Sequence, residues 1–179
     1  MIDTEEIIHR HCAGNSELER LLLQHSGDVA RRALQVADRH PELGLNREFL
    51  QEATMLHDIG ITLVDAPGIH CHGTEPYIRH GLMGGEILRQ EGLPMHARVA
   101  ERHTGTGITR EAIEKQGLPL PPADYVPETL EEQVVCYADK FFSKSHPEHE
   151  KTFDEALRSL WKFGPECAAT MERWREQFD

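Results

Sequence analysis

The chain has 179 residues and a formal charge of −12, from 19 Lys and Arg against 31 Asp and Glu. That length suits one domain with a substantial core, and a surface so acidic disfavours a nucleic-acid polymer or an anionic membrane as partner. No run of about 18 apolar residues marks a membrane span, and the polar, acidic opening MIDTEEIIHRHC is unlike a secretory leader, so a cytoplasmic setting is expected.

Hydrophobic residues make up 39% of the chain, with Leu and Ala common and only three Tyr and two Trp. This mix favours packed helices. In chain order, Ser16-Glu17-Leu18-Glu19 reads as a capping box. Leu18, Leu21, Leu22, His25, Val29, Ala33 and Val36 then keep a helical period, with Gly27 expected to split it into two helices. His40-Pro41 and Gly44 end it. Asn46 caps a helix running through Leu50, Ala53 and Leu56 to His57, which Gly60 should finish. Residues 61–78, with Pro67, Gly68, Gly73 and Pro76, read as a long functional loop.

A helix from about Arg79 to Glu91 stops at Gly92-Leu93-Pro94, and Pro94 opens the next, which carries His96, Val99, Ala100 and His103. A short helix runs from Thr109 to Gln116. Residues 118–127 hold four prolines and form a loop. Thr129-Leu130-Glu131-Glu132 is a second capping box, for a helix through Val134, Val135, Ala138, Phe141 and Phe142. Phe153 to Trp161 forms one amphipathic helix, and Cys167 to Phe178 another beyond Gly164-Pro165. No period-2 strand is evident. The expectation is one all-α domain, 1–179, of seven to nine helices, in which 150–179 is a C-terminal helical extension.

Cys12, Cys71, Cys136 and Cys167 are scattered, with neither a disulfide framework nor zinc-finger spacing. The informative excess is histidine: twelve residues, roughly three times a usual share. His25, His57, His80 and His103 each fall on an apolar helix face, as does Asp139. One buried imidazole is ordinary. Four of them with a carboxylate suggest a shared divalent cation, because a buried unpaired carboxylate costs several kcal/mol, and neutral imidazole and carboxylate suit Fe, Mn, Co, Ni or Zn. Asp58 directly follows His57. Adjacent helical residues point about 100° apart, so the two reach one ion only if the helix ends there, and Asp58 could then bridge two ions. His9, His11, His40, His96, His146 and His149 read as surface residues, and His70 and His72 as loop residues that could line a pocket.

The ordered set His25, His57-Asp58-Ile59-Gly60 and Ala138-Asp139 resembles the HD-domain superfamily of metal-dependent phosphohydrolases, over roughly residues 18–145. The resemblance implies that His25, His57, Asp58 and Asp139 hold a first metal. His80-Gly81 and His103-Thr104-Gly105 resemble the extra histidines of dinuclear members, such as the bacterial symmetrical diadenosine tetraphosphate hydrolases. It follows that His80 and His103 would hold a second ion, with Asp58 bridging. The GYP signature of the cyclic-dinucleotide phosphodiesterases is absent, and small HDIG proteins are the nearer kin. One or two divalent ions, Fe, Mn, Co, Ni or Zn, are implied, and two of them with two aspartates and four neutral imidazoles leave the site a net +2, enough to trap an anionic phosphate. The implied reaction is attack of a metal-bound hydroxide on a phosphoester or phosphoanhydride of a nucleotide-like small molecule, with His57 and Asp58 at its centre. Lys140, Lys144, Arg79, Arg102, His72 and the Gly105 backbone are the candidate substrate contacts. A non-catalytic, metal-stabilised nucleotide sensor and a di-iron oxygenase are the competing functions.

Overall fold

The computed structural model describes residues 1–179. Nine α-helices build it: α1 (Thr4–Cys12), α2 (Ser16–Arg39), α3 (Arg47–Leu56), α4 (His80–Gln90), α5 (Pro94–Arg102), α6 (Arg110–Gln116), α7 (Leu130–Asp139), α8 (Phe153–Leu160) and α9 (Pro165–Phe178). The fold is all-α, as the composition and period suggested. No helix is long and apolar enough to cross a membrane.

The longest helix, α2, is continuous through Gly27, contrary to the expected break. A glycine inside a helix costs only about 1 kcal/mol relative to alanine, and the buried stripe on both sides of it (Leu18, Leu22, Val29, Ala33, Val36) outweighs that. Its cap also moves by one residue. The Asn15 side chain, not Ser16, accepts from the Leu18 amide, because Asn serves at least as well as Ser as an N-cap. The Thr129 capping box forms as expected. Its helix α7, however, ends at Asp139 rather than running on through Phe142.

The expected loop of residues 61–78 is more ordered than a bare loop. A 3-10 helix (Ile59–Leu63) leads to a minimal antiparallel pair, β1 (Asp65–Ala66) and β2 (Cys71–His72), with Asp65 opposite His72. A 3-10 turn (Tyr77–Arg79) then leads into α4. The Gly73 and Val64 backbones are joined by an N–H···O bond of 2.8 Å, so the segment folds back onto itself.

Two apolar clusters share α2. One joins it to α3, α7, α8 and α9 through Val29, Leu50, Tyr137, Phe141, Leu160 and Phe178. The other joins it to α1, α4 and α5 through Ile8, Leu22, Leu56, Ile59, Leu88 and Ala100. The buried histidines His25, His57, His80 and His103 stand in or at the ends of the helices these clusters join. Helix α4 packs closely because it is glycine-rich. A Cβ on Gly60 would overlap the His80 carbonyl oxygen, and one on Gly81 would lie 2.8 Å from the Ala100 oxygen. The start of α4 is thereby clamped between the turn after His57 and helix α5.

Candidate metal centre

Each histidine at the centre is placed by a helix end or a helix stripe. His25 lies mid-stripe in α2, while His57 follows the last residue of α3 and His103 the last residue of α5. His80 begins α4, after the 3-10 turn. Helix α3 ends one residue earlier than Gly60 alone would require, at Leu56. The backbone then turns at Asp58 (φ −102°, ψ 10°) into the 3-10 helix. That early exit lets two consecutive side chains point to one place, and both are fully buried.

Three of the imidazoles are oriented in the same manner. The Nδ1–H of His57 donates to the Thr54 carbonyl at 2.6 Å, that of His80 to Tyr77 at 2.7 Å, and that of His103 to Ala100 at 2.7 Å. A carbonyl can only accept, so each Nδ1 carries a proton and each ring turns its Nε2 inward, as a lone pair in the neutral rings of His80 and His103. This is the outer-shell hydrogen bond by which proteins set a ligating histidine's tautomer.

The inward atoms form two groups that share Asp58. His25, His57, Asp58 and Asp139 each offer one atom, all within 4.8 Å of one another, and Asp58, His80 and His103 do the same. Asp58 Oδ2 lies 3.1 Å from His25 Nε2 and 3.2 Å from His57 Nε2. Its Oδ1 lies 3.1 Å from His103 Nε2 and 3.5 Å from His80 Nε2. Asp139 Oδ1 closes the first group, 3.0 Å from His25 and 3.3 Å from His57. Ligands about 2.1 Å from one ion at right angles stand about 3.0 Å apart. The donor set and its spacing therefore fit a divalent ion in each group, and all six sequence-nominated ligands come together.

Electrostatics point the same way. Burial would lower the His57 imidazole, but the carboxylates of Asp58 and Asp139 outweigh it and raise the group to about 10. Burial, with His103 alongside, drops His80 to about 3, and burial also lowers His103. Burial would raise both aspartates. Instead Lys144 and His57 hold Asp58 well below the usual carboxylate range, and Lys140 with His25 and His57 does so for Asp139. Lys140 Nζ donates to Asp139 Oδ2 at 2.6 Å and to the His103 carbonyl at 2.9 Å, while Lys144 Nζ donates to Asp58 Oδ2 at 2.7 Å. Both lysines thus contact the ligands themselves.

The remaining nominated contacts divide. Gly105 lines the cavity above the centre, about 220 Å³ in volume, beside His80, His103, Lys140 and Lys144. Arg79 is drawn away to the Pro119 carbonyl (2.8 Å) and Glu75 (2.9 Å). Arg102 pairs with Glu128 (3.0 Å) and Glu132 (3.3 Å). Nearby carboxylates neutralise both guanidinium groups, and neither lines that cavity. His72 is exposed on β2 and also lies off it. His96, expected at the surface, is buried against Glu52, with Nε2 3.0 Å from the carboxylate. His11 is half-buried beside Glu91. Sequence reasoning missed Tyr77, whose ring lies 4.5 Å from that of His80, together with Lys151 and Lys162, which line the cavity. A signal for the lysines was present: four of the chain's five lie between positions 140 and 162.

Comparison with known proteins bears on the same residues. The chain is 37% identical to the tRNA (cytidine(56)-2'-O)-methyltransferase of Picrophilus torridus over 124 residues, covering 69% of this chain and 32% of that protein. Identity to the enzyme of the same name from Thermoplasma volcanium is 34% over 123 residues, 68% of this chain and 32% of that one. An uncharacterized protein of Methanocaldococcus jannaschii is 41% identical over 125 residues, 64% of this chain and 66% of that one. The match spans only about a third of either methyltransferase, so most of each lies outside it. No solved structure matches. The HD domain family model matches residues 22–143, the stretch that carries every one of the six clustered ligands, and this chain belongs to the HD domain family.

Proposed function

We propose that this protein is a metal-dependent phosphohydrolase acting on a small, nucleotide-like phosphoester or phosphoanhydride. The observation that carries the reading is Asp58. One buried carboxylate turns one oxygen to His25 and His57 and the other to His80 and His103, and His80, His103 and Asp139 of this cage line a cavity that four lysines also wall. His25, His57, Asp58 and Asp139 would hold one divalent ion, and Asp58, His80 and His103 a second. Such ions, when bound, supply Lewis acidity toward phosphoryl oxygens and make water acidic enough to act as a nucleophile near neutral pH.

The chain's own groups do the rest. His57, His80 and His103 are locked in one tautomer by backbone carbonyls, so the donor atoms are preorganised. Lys144 is kept protonated, because Asp58 outweighs the burial that would lower it. It is a fixed cation for a phosphoryl oxygen and not a proton source. Burial raises Tyr77, so its phenol keeps an O–H to donate at the cavity edge. Beyond Thr104, Gly105 and Phe163, the cavity adjoins a second of about 280 Å³, walled in part by Ile78, Ile108, Leu118 and Val126. That apolar chamber suits the base of a nucleotide. The net charge of −12 disfavours a polynucleotide as substrate, and the methyl transfer named for two relatives requires no buried His/Asp cage.

The test is a screen of purified, metal-analysed protein against nucleotides, dinucleotides and simple phosphate esters, with Mn, Fe, Co and Ni in turn. Metal-dependent release of phosphate or a mononucleotide, lost in Asp58→Ala, is the expected result. Full activity in Asp58→Ala removes the assignment. Tight nucleotide binding with no turnover in any metal-loaded form would instead establish a sensor.

A further inference from the structure

The cavity above the metal centre concentrates charge of one sign. The chain contains five lysines, and Lys140, Lys144, Lys151 and Lys162 all line this one space. Its only carboxylate is Asp139, itself in the ligand cage. In a protein with 31 acidic residues, that separation of charge is local and specific.

The four lysines do different things. Lys140 and Lys144 are tied to the cage aspartates. Lys151 and Lys162 form no ion pair with any carboxylate. Lys151 is half-buried, with its backbone N–H bonded to the Phe141 carbonyl at 2.8 Å. Burial lowers its amine, Asp139 opposes that, and the like charges of Lys140 and Lys162 add to it. Lys162 stands on the short 3-10 helix after α8, its Nζ 5.1 Å from the Phe163 ring centre. Two cations without an ion-pair partner that line one cavity repel, and an anion bound between them relieves that.

A single phosphate does not need them. It has three non-bridging oxygens, and the cage cations with Lys144 already supply partners for those. Lys151 and Lys162 line the same cavity from a segment beyond the family match at residue 143. We propose that Lys151 and Lys162 form a second anion subsite, and that the substrate carries a further phosphoryl group beside the one that is cleaved. This rests on the phosphohydrolase reading for its first phosphate. The segments that flank α8 thus select for bis- or polyphosphorylated molecules over simple monoesters.

Binding can be tested apart from turnover. Metal-stripped protein avoids chelation of the probe, so isothermal titration with pyrophosphate and with inorganic phosphate reads anion binding by the chain's own groups, and the variants below isolate the share of Lys151 and Lys162. Wild-type protein should bind pyrophosphate about tenfold more tightly than phosphate, and the Lys151→Met/Lys162→Met double variant should lose about that factor. Methionine keeps the aliphatic stem, and circular dichroism with a thermal melt verifies the fold. Lys115→Met, a lysine remote from the cavity, should change neither affinity. Equal affinities for the two anions in the wild type overturn the proposal. So does full pyrophosphate affinity in the double variant, or an equal loss in Lys115→Met. Inactivity of metal-loaded wild type in the substrate screen would sink the hydrolase reading instead, whatever pyrophosphate does.

Discussion

His80 and His103 bring their Nε2 atoms within 3.1 Å of each other while each Nδ1–H donates to a carbonyl three residues earlier. With both rings neutral, two lone pairs face one another and neither nitrogen has a proton to share. Burial keeps them neutral: His80 is pushed down to about 3, and His103 is lowered as well. The pair is stable as a ligand set and unfavourable as a hydrogen bond.

The first prediction follows from that pair. Protein loaded with Mn or Co and analysed by plasma mass spectrometry should hold about two ions per chain, one for each donor group. His80→Ala and His103→Ala should each retain about one, because the His25, His57, Asp58 and Asp139 group is untouched. Stripping the metal should lower the melting temperature, since an ion that binds only the folded state stabilises it by mass action. Wild-type protein that takes up no divalent ion at any concentration tested would refute this.

Asp58 and Lys144 give the second. Their 2.7 Å contact is buried, and removing one member of a buried pair leaves the other uncompensated. Asp58→Asn should lose all metal-dependent turnover and destabilise the metal-stripped protein by about 3 kcal/mol in urea unfolding. Adding Lys144→Met should recover most of that stability and none of the activity. If the double variant is no more stable than Asp58→Asn alone, the pair does not act as a unit.

Much of this architecture was legible in the residues. The six ligands stood out because a histidine on an apolar helix face contradicts its neighbours, and several such contradictions share one remedy. The continuity of α2 was not legible, since a helix-breaking propensity of about 1 kcal/mol at Gly27 is smaller than the burial on both sides of it. The fates of Arg79 and Arg102 were also hidden. Sequence adjacency to a ligand puts a guanidinium near the site, but Glu75, Glu128 and Glu132 arrive from other segments and claim it. His96 looked like a surface residue because its partner Glu52 lies in a different helix, 44 positions away.

The third prediction concerns pH. His57 is raised to about 10 in the metal-free cage, against an unfolded value near 6.5. A raised group stabilises the fold fully below its unfolded value and loses that contribution as pH rises through the folded one. His80 works in the opposite sense: lowered to about 3, it withdraws stability as pH falls from about 6.5. The metal-stripped protein should therefore weaken on both sides of neutrality, on the alkaline side between about 6.5 and 10. A bound cation displaces the His57 proton, so loading at pH 7 should release about one proton per chain, measured by calorimetry in buffers of different ionisation enthalpy. Loading without proton release would contradict the assignment of His57 as a ligand.

Two glycines separate a close approach from a mere helix interruption. Gly60 lies where the chain after the His57-Asp58 turn touches the start of α4, and the space a side chain would need is occupied by the His80 carbonyl and the Gly84 amide. Both are backbone, so neither can rotate aside. Gly60→Ala should push α4 outward, destabilise the protein by about 2 kcal/mol or more, and displace His80 enough to reduce metal content toward one ion per chain. Gly27 sits in the continuous α2, and a methyl group there would meet nothing within 4 Å. Gly27→Ala should raise stability by about 0.5–1 kcal/mol through helix propensity alone and leave metal content unchanged. Urea unfolding with metal analysis on both variants separates the two roles. A tolerated Gly60→Ala that keeps both ions would show that the clamp between the turn and α4 does not position His80.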